Sequence, residues 1–239
     1  MQLCLSFRAD SVNLPIAYRS IQHGLIYHTL SEDADFATQL HNNGHQTEDR
    51  SYKHFTFSPF CGDYSISNKR IVFQQELSME IRSSDPRFIL TLSESLTEGK
   101  TVQLGSQNAV ISHSAVSDRH VLQPEVDIQT ISPLVVYQTL DDGHTVFLSP
   151  TEETFLNSLV HNAQRKWRSS GGTDADFRLS VTPLPNQQFR KVPTAFKTTF
   201  ITGWQGRFHL SGNPQVIDML YQIGLGAKSS QGFGMFLVL

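Results

Sequence analysis

The chain has 239 residues, 38% of them apolar and 10% aromatic. That suffices for one large core or two of about 120 residues each, and excludes a low-complexity or disordered protein. The net charge of −3 argues against a general nucleic-acid binder, but it is unevenly spread: from Asn157 to the end nine Lys/Arg face three acids, a stretch of +6 that leaves −9 on the rest. Such cations signal a polyanion partner if they share one surface, and a solvated face if they do not.

In chain order, residues 3–9 alternate as a first strand. Residues 14–30 place Ile16, Ile21, Leu25, Ile26 and Leu30 at helical spacing, with Pro15 suited to the first turn. Residues 31–41 read as a shorter helix capped by Ser31. Strands follow over 53–60 and 69–82, the second with a bend, then a helix opened by Asp85-Pro86 and strand alternation over 101–116. The second half repeats this order. Residues 125–140 and 144–150 are strand-like, and 151–172 form a helix capped near Thr151 and stopped by Gly171-Gly172. Strands at 177–184, 194–212 and 235–239 enclose a last helix over 213–226. Each half therefore reads β-α-β-β-α-β, which predicts an α+β chain of two tandem ferredoxin-like (RRM-like) domains, 1–122 and 123–239.

Cys4 and Cys61 sit in apolar, strand-like contexts and match no zinc spacing, so buried thiols in a reducing compartment are expected. The N-terminus lacks the pattern of a signal peptide, and no apolar run reaches membrane-spanning length, so a cytoplasmic protein with no membrane contact is expected.

The C-terminal segment GLGAKSSQGFGMFLVL, 224–239, sets Gly224, Gly226, Gly232 and Gly234 around Lys228, Ser229 and Ser230 just before the last strand. Glycines let successive N–H groups line an anion-binding concavity, with the lysine and hydroxyls as further donors to phosphate. The other reading is a helix-to-strand turn that needs left-handed backbone.

This segment is similar to the C-terminal glycine-rich motif of the RAMP-superfamily CRISPR RNA-processing endoribonucleases. Residues 18–30 resemble that family's first helix, and 53–60 the strand after its active-site segment. The resemblance implies two tandem ferredoxin-like domains and an endoribonuclease that cuts CRISPR repeat RNA without a metal or cofactor, leaving a 2′,3′-cyclic phosphate and a 5′-hydroxyl. It also implies a site of a tyrosine, a histidine and a lysine, which fall here at Tyr27, His41 and Lys53, with His45 the alternative histidine. Imidazole suits proton transfer near neutral pH, lysine suits the charge on phosphate, and a phenol is a poor base unless perturbed.

Arg165 and Arg168 on the long helix, and Arg190 and Lys191 in a Pro-flanked hairpin loop, are candidates for an RNA track; Phe189 either stacks on a base or anchors the core. Besides repeat RNA, the family implies association with a multi-subunit interference complex. Two other functions remain: a non-catalytic RAMP-type RNA-binding subunit of a guide-RNA complex, and a small-ligand or protein binder whose glycine loop is purely structural.

Overall fold

The computed structural model describes residues 1–31, 45–47 and 50–239. The segment expected to form the short helix, with His41, lies outside the described residues.

The first unit contains β1 (Gln2–Pro15), α1 (Arg19–Leu30), β2 (His45–Thr47), β3 (Arg50–Tyr52), β4 (Phe55–Phe57), β5 (Tyr64–Ser67), β6 (Arg70–Ser83), α2 (Pro86–Ser95), β7 (Thr101–Leu104) and β8 (Gln107–Ser117). Its main sheet is antiparallel in the order β4-β6-β1-β8-β7, with β5 also on β6, and β2 pairs with β3. Leu25, Ile26 and Leu30 of α1 and Phe88, Ile89 and Leu92 of α2 close one core with Leu3, Leu5 and Phe7 of β1.

The second unit contains β9 (Glu125–Thr130), β10 (Tyr137–Thr139), β11 (Thr145–Phe147), α3 (Glu153–Ser169), β12 (Leu179–Pro183), β13 (Arg190–Phe196), β14 (Thr199–Gln205), β15 (Arg207–Gly212), α4 (Pro214–Ile223) and β16 (Phe236–Val238). Its sheet runs β12-β15-β9-β16, all antiparallel, with β10-β11 and β13-β14 as separate hairpins. Phe155 and Leu159 of α3 and Val216, Ile217 and Leu220 of α4 share the second core with Val126, Ile128 and Leu210; Val121 packs there too. In the second sheet β9 and β15 are central between β12 and β16; in the first, β1 and β6 are central between β8 and β4, with β5 and β7 added, so both follow the predicted ferredoxin-like order.

Local chemistry explains several helix ends. The side chains of Asp85 and Asn213 accept from the backbone N–H two residues on, each followed by proline. Other expectations failed. Strand β1 runs on through Pro15, because β6 supplies a partner: Val12 faces Phe73 and Leu14 faces Ile71, past a register shift at residues 8–11. The helix therefore starts at Arg19 and leaves Ile16 47% exposed. Ser31 closes α1, its hydroxyl donating to the His28 carbonyl at 2.6 Å. At the start of α3 the cap position belongs to Glu152, the neighbour of Thr151, within the expected place; its carboxylate accepts from the Ser149 N–H. Both cysteines are exposed free thiols, Cys4 on β1 and Cys61 at an isolated bridge to Ser78. No helix among the described residues is long and apolar enough to cross a membrane.

Buried polar contacts join the two units. Arg82 at the end of β6 is 1% exposed, stacks 3.9 Å from the Tyr221 ring centroid, and donates to the Phe236 carbonyl at 2.8 Å and to Glu80 at 2.6 Å. The amide of Gln2 donates to the Gln222 side-chain oxygen at 3.2 Å, and His54 meets the Ser169 hydroxyl at 2.8 Å. Arg82→Met keeps the bulk but strands a buried carbonyl, and should lower stability in urea unfolding by about 3 kcal/mol.

Candidate functional site

The glycine-rich segment packs before it does anything else. Gly232 has φ 84° and lies so close to Phe57 of the first unit that a Cβ would sit inside its ring; Gly234 has φ 74° and would collide with the Leu225 carbonyl. Only glycine satisfies both the left-handed backbone and these approaches. The Phe233 carbonyl accepts from Thr56, the Gly232 carbonyl accepts from Arg19, and the Arg19 guanidinium lies 5.0 Å from the Phe233 ring centroid. The segment is thus a seam between the units.

Beneath the seam lies a residue absent from the predicted site. Lys166 of α3 is 4% exposed, and its ammonium donates to the Gly224 carbonyl at 2.7 Å and the Ser229 hydroxyl at 2.6 Å. Burial lowers its pKa to about 7. Ser229 is consequently buried and turned inward, which leaves Lys228 and Ser230 as the loop's partly exposed polar side chains. A signal for Lys166 existed: Phe155, Leu159, Asn162 and Lys166 fall on one stripe of the helix.

Facing the loop across a cavity of about 310 Å³ are His23 and Lys53, with Lys166, Lys228 and Ser230 on the opposite wall. Lys53 places its Nζ 4.7 Å from the centroid of the Tyr27 ring, and that ring stacks on His23 at 4.3 Å. The Tyr27 hydroxyl is buried without a partner among the described residues. Burial pushes the phenol above its ordinary range and the Lys53 ammonium below its own. His23 is lowered to about 4 by burial first, then by Lys197 and Lys53 beside it, so it is neutral at pH 7. At neutral pH this cluster offers a phenol that donates, a neutral imidazole and a cation. His45 opens β2 opposite Tyr52, the neighbour of Lys53.

The structure thus brings Lys53 and Lys228 to one cleft, with Tyr27 behind Lys53 and His23 and outside the cleft lining, and does not bring the remaining cations there. Arg165 reaches the cleft's extension along α3, whereas Arg168 is held by Asp174 at 2.7 and 2.8 Å. Arg190 and Lys191 do not form a loop. They begin β13, paired with Gln205 and Trp204, because Phe189 anchors the chain there by packing on Phe208 at 5.2 Å. A wider groove of about 600 Å³ between α1 and β7 contains none of the predicted site residues. Among the described residues no group of His, Cys, Asp or Glu could hold a metal ion.

Residues 117–238 match the family model described as CRISPR associated protein Cas6, C-terminal. The chain is 23% identical over 231 residues to the CRISPR-associated endoribonuclease Cas6 of Pyrococcus furiosus, covering 94% of this chain and 83% of that protein. It is 22% identical over 248 residues to the CRISPR-associated endoribonuclease Cas6 1 of Methanocaldococcus jannaschii, covering 98% and 91%. The solved structure of an RAMP protein binding different RNA substrates superposes with a TM-score of 0.84 at 21% identity, covering 100% of this chain and 99% of that one. That likeness shows the fold.

The buried lysine sets a pH dependence. With its pKa near 7 when folded and at the ordinary lysine value when unfolded, the unfolded chain holds more protons above pH 7, and stability rises with pH there. Urea unfolding between pH 7 and 9.5 should show wild type gaining on Lys166→Met, with a slope of at most about 1.4 kcal/mol per pH unit.

Proposed function

The chain belongs to the Cas6 family of CRISPR-associated proteins, and we propose that it is an endoribonuclease that recognises CRISPR repeat RNA and cuts precursor transcripts into guide RNAs. The observation that carries this reading is a cleft with Lys53, set over the Tyr27 ring, on one wall and the glycine-rich loop with Lys228 on the other. The Pyrococcus and Methanocaldococcus relatives, which bear the endoribonuclease name, support it.

Cleavage starts when a base removes the proton of a 2′-hydroxyl and the 2′-oxygen attacks the adjacent phosphorus. The P–O5′ bond breaks and an acid protonates the departing 5′-oxygen, leaving a 2′,3′-cyclic phosphate and a 5′-hydroxyl. Lys53 and Lys228 supply positive charge to the phosphate, so the reaction runs without a divalent metal. Burial keeps Tyr27 protonated, so it is not the base, and its ring carries Lys53 and His23 at the edge of the cleft. The proton acceptor is an imidazole, His41 or His45. The two units, 1–122 with this chemistry and 123–239 with the loop, hold the RNA between them in the cytoplasm, and the product can pass to a larger interference complex.

One observation favours a second reading, a non-catalytic RNA-binding subunit: the Tyr27 hydroxyl is buried. Incubation of 5′-labelled repeat RNA with the protein in excess EDTA separates the two. The endoribonuclease gives a single cut ending in a cyclic phosphate. That cut is lost in His41→Ala or in His45→Ala, whichever carries the imidazole, and slowed about 100-fold in Lys53→Ala. Salt-sensitive binding with no cut establishes the second reading. Lys228→Ala should weaken binding to all repeat sequences alike and reduce the slope of log affinity against log salt by about one.

A further inference from the structure

The catalytic cleft does not end at the glycine-rich loop. Past Ala227 it opens into a second cavity of about 470 Å³ between β10 and α3, the two sharing Tyr137, Asn162 and Ala227. Ser158, His161, Asn162 and Arg165 line it from one face of α3, where residues three and four apart are neighbours, and Gln138 faces them from β10. Its volume is that of a small-ligand site.

Two polar atoms in this wall lack a partner among the described residues: the side-chain carbonyl oxygen of Asn162, a residue only 8% exposed, and the Nε of Arg165. A buried donor or acceptor left unpaired is costly and rare in a folded protein, so a neighbouring pair of opposite kind calls for a ligand. The ligand must bring a donor for the Asn162 oxygen and an acceptor for the Arg165 Nε. A bare phosphate satisfies the arginine but meets the asparagine oxygen with lone pairs. A nucleobase edge carries a donor beside an acceptor. A peptide backbone carries both groups too, but Arg165 on this wall and Lys228, whose Nζ lies 5.4 Å from the Tyr137 ring at the junction, favour an anionic polymer running in from the cleft.

We propose that this cavity is a base-reading subsite that takes one unpaired nucleotide of the bound RNA, with Asn162 and Arg165 reading its edge and Lys228 meeting the backbone between it and the cut. The assignment rests on the RNA-binding part of the reading above and is indifferent to whether the protein cuts.

Its test uses repeat RNA with a 2′-deoxy sugar at the cut position, made as a series in which each nucleotide in turn is abasic, and measures equilibrium binding in excess EDTA. Wild type should show one position away from the cut where removal of the base weakens binding about 10-fold or more. In Arg165→Ala, and separately in the near-isosteric Asn162→Asp, the intact RNA should bind as weakly as that abasic RNA. The penalty at that position should vanish while penalties elsewhere persist. If Arg165→Ala keeps every positional penalty and only weakens binding uniformly, Arg165 meets a phosphate and the proposal is overturned. If wild type binds no repeat RNA at all, the subsite and the RNA reading fall together; tight binding without any cut leaves the subsite standing and removes only the chemistry.

Discussion

A single buried lysine holds the loop along which the two halves of this molecule meet. Lys166 projects from α3 into a dry space under the glycine-rich loop and is satisfied there by the Gly224 carbonyl and the Ser229 hydroxyl. Burying a lysine amine is costly unless hydrogen bonds compensate, so the loop cannot move away without leaving that amine unpartnered. With the loop so held, Gly232 rests on Phe57, the Phe233 carbonyl reaches Thr56, and Arg19 closes over the turn. The cleft exists because this seam brings α1 and Lys53 opposite Lys228 at a constant spacing.

Burial also assigns the chemical roles. Three groups that would compete for protons in water are separated by their surroundings: the Tyr27 phenol stays protonated, His23 stays neutral, and Lys53 is a partly desolvated cation over the tyrosine ring. A desolvated cation acts more strongly on a nearby phosphate than one in bulk water. The charge asymmetry along the chain resolves in the same terms. Of the cations in the basic half, Lys166 is spent inside, Arg168 is paired with Asp174, and Arg190 and Lys191 lie on a separate hairpin. Arg165 and Lys228 reach the cleft and its extension, so an excess of +6 translates into a narrow cationic path and not a broad basic face.

The β-α-β-β-α-β order of each half was legible because strands and helices announce themselves by different periods, and the caps at Asp85 and Asn213 are chemical signals confined to two or three residues. The pattern of glycines also marked the segment that turned out to matter. What those glycines do was not legible, since left-handed turns, anion nests and close packing ask for the same residue. The β1–helix boundary was missed for a related reason: Pro15 and Ile16 are compatible with a helix start, and only the arrival of β6 beside Val12 and Leu14 made extended backbone the better choice.

The sequence by itself determined the fold class, the order of its elements, the apolar faces that build two cores, and the residue types available for RNA chemistry. Each of these depends on neighbours along the chain or on helical and strand periodicity. Only the tertiary structure decided which polar groups are spent on holding the molecule together and which remain for a ligand. Lys166 and Arg165 are adjacent and both basic by type, yet one is buried beneath a loop that starts 58 residues later in the chain and the other lines an open cavity. That difference comes from the rotation of one helix against the second sheet, a property of packing between distant segments that local sequence does not encode.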